Sequence, residues 1–264
     1  MLGIVVNYVE VFTLVLVRVS SFFFLTPFFG ARNIPMQVKI GLALVLALLL
    51  TPALAVSEAG QLYAGMGFAE LLLIILKEFM VGVALAMVAA FIFAAIQVGG
   101  MFIDMQIGFV MANVFDPLTG ASAPITGQFK YALAILLFLG LDGHHGLLAA
   151  LLQSYEFLPL GAFTLSDNLL SVLMATFTMM FLLGFKIAIP IVAALFLTDL
   201  GLAILSRAVP QMNVFVIGMP AKILIGSAMI VIAMPAFVYL LRGLFHTMYG
   251  QLDTLLRVVG GVAS

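Results

Sequence analysis

The chain has 264 residues, of which 65% are hydrophobic and 8% charged, with a mean hydropathy of +1.33. A soluble domain carries about 25% charged residues, so this is an integral membrane protein. The net charge of −1 removes the electrostatic case for nucleic acid, and the absence of cysteine removes disulfides, thiolate metal sites and cysteine nucleophiles.

No tract alternates as a lipid-facing barrel strand does. Helices are the remaining way to satisfy a backbone in hydrocarbon. The expected class is therefore an all-α integral membrane protein with about six apolar helical segments, several of them broken or tilted. Tryptophan is absent, so an interfacial belt must use the six tyrosines and the many phenylalanines. The first apolar run has no basic region or small-residue cleavage site around it and is expected to be a retained helix.

The first apolar stretch, about Val5–Phe29, carries Glu10 and Arg18. A mid-span charge costs about 2.5–3.5 kcal/mol or more, and these two are too far apart in sequence to pair along one helix. Each is expected to meet another helix. Pro27, Gly30 and Pro35 then break the chain, with Arg32 and Lys39 making the break basic. The second stretch, about Val38–Val56, is plain apolar helix with a kink or stop at Pro52.

The third stretch, about Phe68–Val98, has Glu70, Lys77 and Glu78 in its first half. Glu70 and Lys77 fall on nearly one stripe. Gly82, Ala86, Ala90 and Ala94 follow at four-residue spacing, a small-residue row that admits a close helix neighbour. The following segment, Gly99–Phe129, mixes Met101, Met105, Met111, Phe102, Phe109 and Phe115 with Asp104 and Asp116. Its glycines and prolines forbid one continuous helix. It reads either as an interior loop buried in protein or as a loop dipping into headgroups.

The fourth stretch, about Phe129–Leu152, contains Asp142, His144 and His145. Adjacent histidines on a helix diverge by about 100°, so polar capping at the break near Gly140 or Gly143 is expected there and metal ligation is not. The fifth stretch, about Leu169–Leu197, holds Lys186 with Pro190 four residues on; the lysine either snorkels or meets a partner's carboxylate. The segment with Asp199, Arg207, Pro210, Gln211, Asn213, Pro220 and Lys222 reads as the tip of a long hairpin. The sixth stretch, about Val214–Leu241, leads into a short amphipathic tail through Arg257. Loops around Arg32 and Lys39, Lys130, and Arg207 and Lys222 share one side, which their charge makes cytoplasmic; both termini then lie outside, which Arg242 and Arg257 oppose.

No nucleophile elbow, zinc-protease or phosphate-loop motif is present, so no catalytic, cofactor or metal residues are assigned and the chain is expected not to be an enzyme. A secondary transporter or channel for a small solute is one alternative, because such proteins also use broken helices and buried charges. No internal repeat supports it. A subunit of a hetero-oligomeric channel fits better, because isolated charges on apolar helices need neutralising partners.

Four motifs carry a resemblance: RVSSFFFLTPFFGARNIPMQVKIGLA at Arg18–Ala43, FDP at Phe115–Pro117, LDGHHGLL at Leu141–Leu148, and SRAVPQMNVFVIGMPAK at Ser206–Lys222. In this order, over essentially the whole chain, they resemble the FliR-type export-gate family of flagellar and injectisome type III secretion. The resemblance implies a non-enzymatic subunit that joins FliP and FliQ, with FlhB, around an entry pore for unfolded substrates. It implies a FliP-like part over 1–165, including an interior plug loop at 99–128, and a FliQ-like hairpin with tail over 166–264. Carried over by position, Gly108, Phe109, Met111, Phe115, Asp116 and Pro117 would belong to the plug. Glu10, Arg18, Glu70, Lys77, Gly82, Ala86, Ala90 and Lys186 would face other subunits. Arg207, Pro210, Gln211, Asn213, Pro220 and Lys222 would sit at the cytoplasmic mouth by FlhB. The implied location is the bacterial inner membrane at the flagellar basal body, with the core raised toward the periplasm.

Overall fold

A computed structural model describes residues 2–31, 33–56, 67–109, 124–165, 167–211 and 213–261. Among them there are eight α-helices and no strand: α1 Leu2–Leu25, α2 Met36–Val56, α3 Phe68–Ile107, α4 Ile125–Gly140, α5 Gly143–Phe157, α6 Asp167–Ala208, α7 Val214–Ile232 and α8 Met234–Val259. Four of them, α1, α2, α3 and α6, are individually long and apolar enough to cross a membrane. Counting the broken pairs α4–α5 and α7–α8 as single spans raises the number to six. The all-helical class and its six apolar segments stand.

The helices run further than the hydropathy boundaries suggested. α3 has 40 residues and α6 has 42. At about 1.5 Å per residue each is about 60 Å long, twice the ~30 Å hydrocarbon thickness. α3 passes straight through Gly99 and Gly100 and stops only at Gly108, whose φ of +102° suits glycine. Those two inner glycines serve approach instead of turning. A Cβ on Gly99 would stand 2.8 Å from the Gly184 carbonyl oxygen, and one on Gly100 would overlap the backbone of Gly127. The central break is therefore shorter than Gly99–Phe129, and residues 110–123 lie outside the described set. α6 likewise absorbs Pro190 and continues to Ala208, so Asp199 and Arg207 belong to the helix and not to a hairpin tip. Pro52 sits inside α2 without ending it.

The contacts divide into two compact units. One comprises 1–91, 142–176 and 247–264; the other comprises 92–141 and 177–246. The first buries Val11, Leu14 and Val15 of α1, Leu85 and Val88 of α3, Leu151 of α5 and Leu252 of α8. α2 lies against α1. In the second, Ile103 and Ile107 of α3 meet Ala188, Ile191 and Leu195 of α6, with Phe109 lying over them. Phe93, Phe138 and Phe245 form an edge-on aromatic group there, with neighbouring centroids 5.3 and 5.1 Å apart.

Candidate functional site: three charge networks and the helix breaks

The first network centres on Arg18. Its side chain and that of Glu78 are both fully buried, and Nε donates to Glu78 Oε2 at 2.6 Å. Nη1 donates to the Ser154 carbonyl at 3.1 Å, Ser154 Oγ at 3.2 Å and the Leu158 carbonyl at 3.1 Å. Tyr155 stacks 4.3 Å from the guanidinium. Glu78 uses its other oxygen to accept the Gly161 N–H at 2.7 Å. An arginine suits this place because its planar fork serves several acceptors at once. α1, α3, α5 and the turn after α5 are thus joined by one charge pair, while Nη2 of the buried guanidinium has no hydrogen-bond partner among the described residues.

This corrects the assignment of Arg18 to another subunit: its partners belong to the same chain, and no part of it reaches the surface. Gly82 is corrected likewise. A Cβ there would overlap Ser21 Oγ, so α1 already occupies the close approach that the small-residue row offers. Ala86 is fully buried beside it. Glu70 and Lys77 share a stripe without pairing: Glu70 accepts the Gly67 N–H at 3.2 Å at the start of α3, and Lys77 donates to the Gly161 carbonyl at 3.2 Å. Glu10 and Asn7 keep a different character. Glu10 Oε2 and Asn7 Oδ1 are shielded and have no hydrogen-bond partner among the described residues. Ala90 is half-buried, and Lys186 is exposed between exposed Phe185 and Ile189.

The second network closes the ends of the central break. Asp104, 2% exposed near the end of α3, accepts the Thr126 N–H at 3.1 Å and also the Thr126 hydroxyl. A carboxylate there complements the free N–H groups and the dipole at the start of α4. Lys130, one turn on and also buried, lies 4.9 Å from the Phe237 ring centre. With the backbone approach of Gly100 and Gly127, these contacts fasten α3 to α4 directly beside residues 110–123. Of the plug residues, Gly108 and Phe109 are described; Met111, Phe115, Asp116 and Pro117 lie outside the described residues.

The third network is wetter. Asp199 of α6 accepts from Gln106 Nε2 at 2.9 Å and pairs with Lys222 Nζ at 3.0 Å, with side chains 20% exposed at Lys222 and 40% at Asp199. It ties α3, α6 and α7 near the α6–α7 turn. Arg207 in the last turn of α6 and Pro210, Gln211 and Asn213 in the turn after it are exposed, and the Asn213 side chain accepts the Val216 N–H at the start of α7. Pro220 is exposed within α7.

At the α4–α5 break the capping expectation fails. Asp142 takes a left-handed φ of 55° in the capping position of α5, yet its side chain makes no capping hydrogen bond. The two histidines, expected to diverge, instead lie with ring centres 4.1 Å apart, because side-chain rotation at a helix start overcomes the angular offset of their Cα atoms.

Glu78, Asp104, Lys130 and Asp199 were not singled out as site residues from sequence. A usable signal existed: each buried cation requires an acid, and Glu78 and Asp104 lie in otherwise apolar helix.

Residues 9–248 match the model describing bacterial export proteins, family 1. The flagellar biosynthetic protein FliR of Bacillus subtilis strain 168 is 37% identical over 265 residues, covering 97% of this chain and 98% of that one. The protein of the same name from Escherichia coli K12 is 29% identical, covering 91% and 90%. The Yop proteins translocation protein T of Yersinia pestis is 31% identical, covering 84% of each chain.

Proposed function

The chain belongs to family 1 of the bacterial export proteins, and from that premise we propose that it is a core subunit of a flagellar type III protein export gate. In this reading it joins FliP and FliQ in a channel through which unfolded flagellar substrates enter the export path, and meets FlhB at the cytoplasmic mouth. It sits in the bacterial inner membrane at the flagellar basal body, with its core raised toward the periplasm, and works without catalysis or cofactor. In this reading residues 1–165 form a FliP-like part and residues 166–264 a FliQ-like hairpin with its tail.

One observation carries the reading. On α6, large apolar side chains from Met174 to Ile204 remain exposed, among them Phe181, Phe185, Phe196 and Leu197. That face is about 45 Å long, against ~30 Å of hydrocarbon. Lipid cannot cover all of it, so neighbouring polypeptides must. Lys186 on the same face and Glu10 on α1 then await opposite charges from those neighbours. The segment 108–120 acts as the plug: Phe and Met side chains exclude water and ions yet yield to a passing chain.

Copurification tests the assembly. The full chain expressed with FliP and FliQ should yield one stable complex in detergent. A chain that is monodisperse by itself would count heavily against the gate reading, and saturable solute uptake in liposomes by the isolated chain would establish the transporter reading. Deleting 108–120 should raise small-ion leak through the assembled gate while assembly persists; an unchanged leak removes the sealing role.

A further inference from the structure

We propose that Asp142, His144 and His145 form a binding site for one divalent transition-metal ion of the zinc class, at the break between α4 and α5. One ligand atom from each lies within 4.8 Å of the others. Two imidazoles and a carboxylate are a donor set for zinc, nickel or cobalt and not for the oxygen-seeking magnesium or calcium.

Three observations favour a ligand site over an ordinary turn. Asp142 stands where a capping side chain belongs, and aspartate is among the best caps, yet its carboxylate makes no capping hydrogen bond, and the His145 N–H bonds the Asp142 backbone carbonyl. The carboxylate turns to His145 instead. The Oδ1–Nδ1 separation is 3.6 Å, too long for a hydrogen bond. It is close to the edge of a coordination tetrahedron, about 3.3–3.4 Å for ligands at 2.0–2.1 Å from the metal. Third, Nδ1 of His144 is shielded from solvent and has no hydrogen-bond partner among the described residues. A shielded ring nitrogen left unpaired is uncommon.

The surroundings hold the turn ready. Tyr249 of α8 donates its hydroxyl to the Gly143 carbonyl at 2.9 Å. A Cβ at Gly146 would stand 2.6 Å from the same ring. The His144 ring faces Phe28 at a centroid distance of 6.4 Å. His145 and Asp142 are 69% and 77% exposed, so an ion enters from solvent and retains water in its remaining positions. The start of α5 carries the positive end of the helix dipole. The Asp142 charge is therefore what makes the position acceptable to a dication, and its loss should weaken binding beyond the loss of one donor atom.

The test uses the full chain, purified with its membrane partners through a tag without histidine, stripped with chelator and titrated with cobalt(II). Visible absorption reports the coordination, and zinc serves as competitor. The expected result is one equivalent per chain displaced by zinc, weakened at least about 10-fold in both His145→Gln and Asp142→Asn, and unaltered in His246→Gln. Both changed side chains are exposed, so the metal-free variants should keep the parent's thermal midpoint. Cobalt uptake that is no greater than in a His144→Gln/His145→Gln double variant overturns the proposal. So does equal affinity in His145→Gln, or a site that takes only magnesium or calcium.

Discussion

The Arg18–Glu78 pair and the Asp199–Lys222 pair have the same chemistry and opposite surroundings. The first is sealed, with Ser154, Leu158 and Gly161 bonded to it and Arg18 Nη2 left without a partner among the described residues. The second is part-exposed and shares its carboxylate with Gln106. In the first, removing one partner strands a charge that has nowhere to hydrate. In the second, water replaces what is lost. Burial, not the distance between charges, decides how firmly each pair holds its helices.

Breaking the sealed pair has the largest expected effect. Glu78→Leu leaves the Arg18 charge without its counter-charge and the Gly161 N–H without its acceptor, and should cost about 3–5 kcal/mol. The thermal midpoint of the complex in detergent, together with the amount of chain in membranes, measures this. Adding Arg18→Leu should recover part of the loss, because no charge then remains buried. A double variant as unstable as the single one would show that packing, not charge, governs the site. Next comes Gly100→Ala. Its methyl group meets the Gly127 backbone, and forcing α3 from α4 should cost about 1–3 kcal/mol by the same measurement. An unshifted midpoint would mean that the crossing is looser than the contact implies.

The open pair should be milder. Asp199→Asn keeps a hydrogen-bonding side chain and should cost at most about 1 kcal/mol, less at high salt. A loss equal to that of Glu78→Leu would erase the contrast between the two pairs. The smallest change belongs to Asp253→Asn, which removes an exposed bridge to Arg257 one turn along α8 at 2.9 Å. About 0.2–0.5 kcal/mol is expected there, seen as a barely shifted midpoint.

The central segment shows where local reading stops. Gly99 and Gly100 look like helix breakers, and in an isolated chain they would weaken a helix. Here they are the points where Gly184 and Gly127 come close, and α3 continues. Pro190 raises the same difficulty: it removes one hydrogen bond, yet α6 persists because both of its flanks are helical and its inner face is packed. A glycine or proline signals a local preference, and only neighbouring helices decide whether that preference is overruled.

Composition alone dictated the membrane class, the helical secondary structure and the six apolar segments, because a backbone in hydrocarbon has so few ways to satisfy its polar groups. The need for a partner at Arg18 was equally plain, since an isolated charge in an apolar helix is costly wherever it lies, whereas Lys222 read as part of a hairpin tip. The tertiary structure alone decided who the partners are. Glu78 is 60 positions from Arg18, Gly161 is 84 from Lys77, and Asp199 lies across the α6–α7 turn from Lys222. Periodicity reports which face of a helix a residue occupies, but not which helix that face will meet.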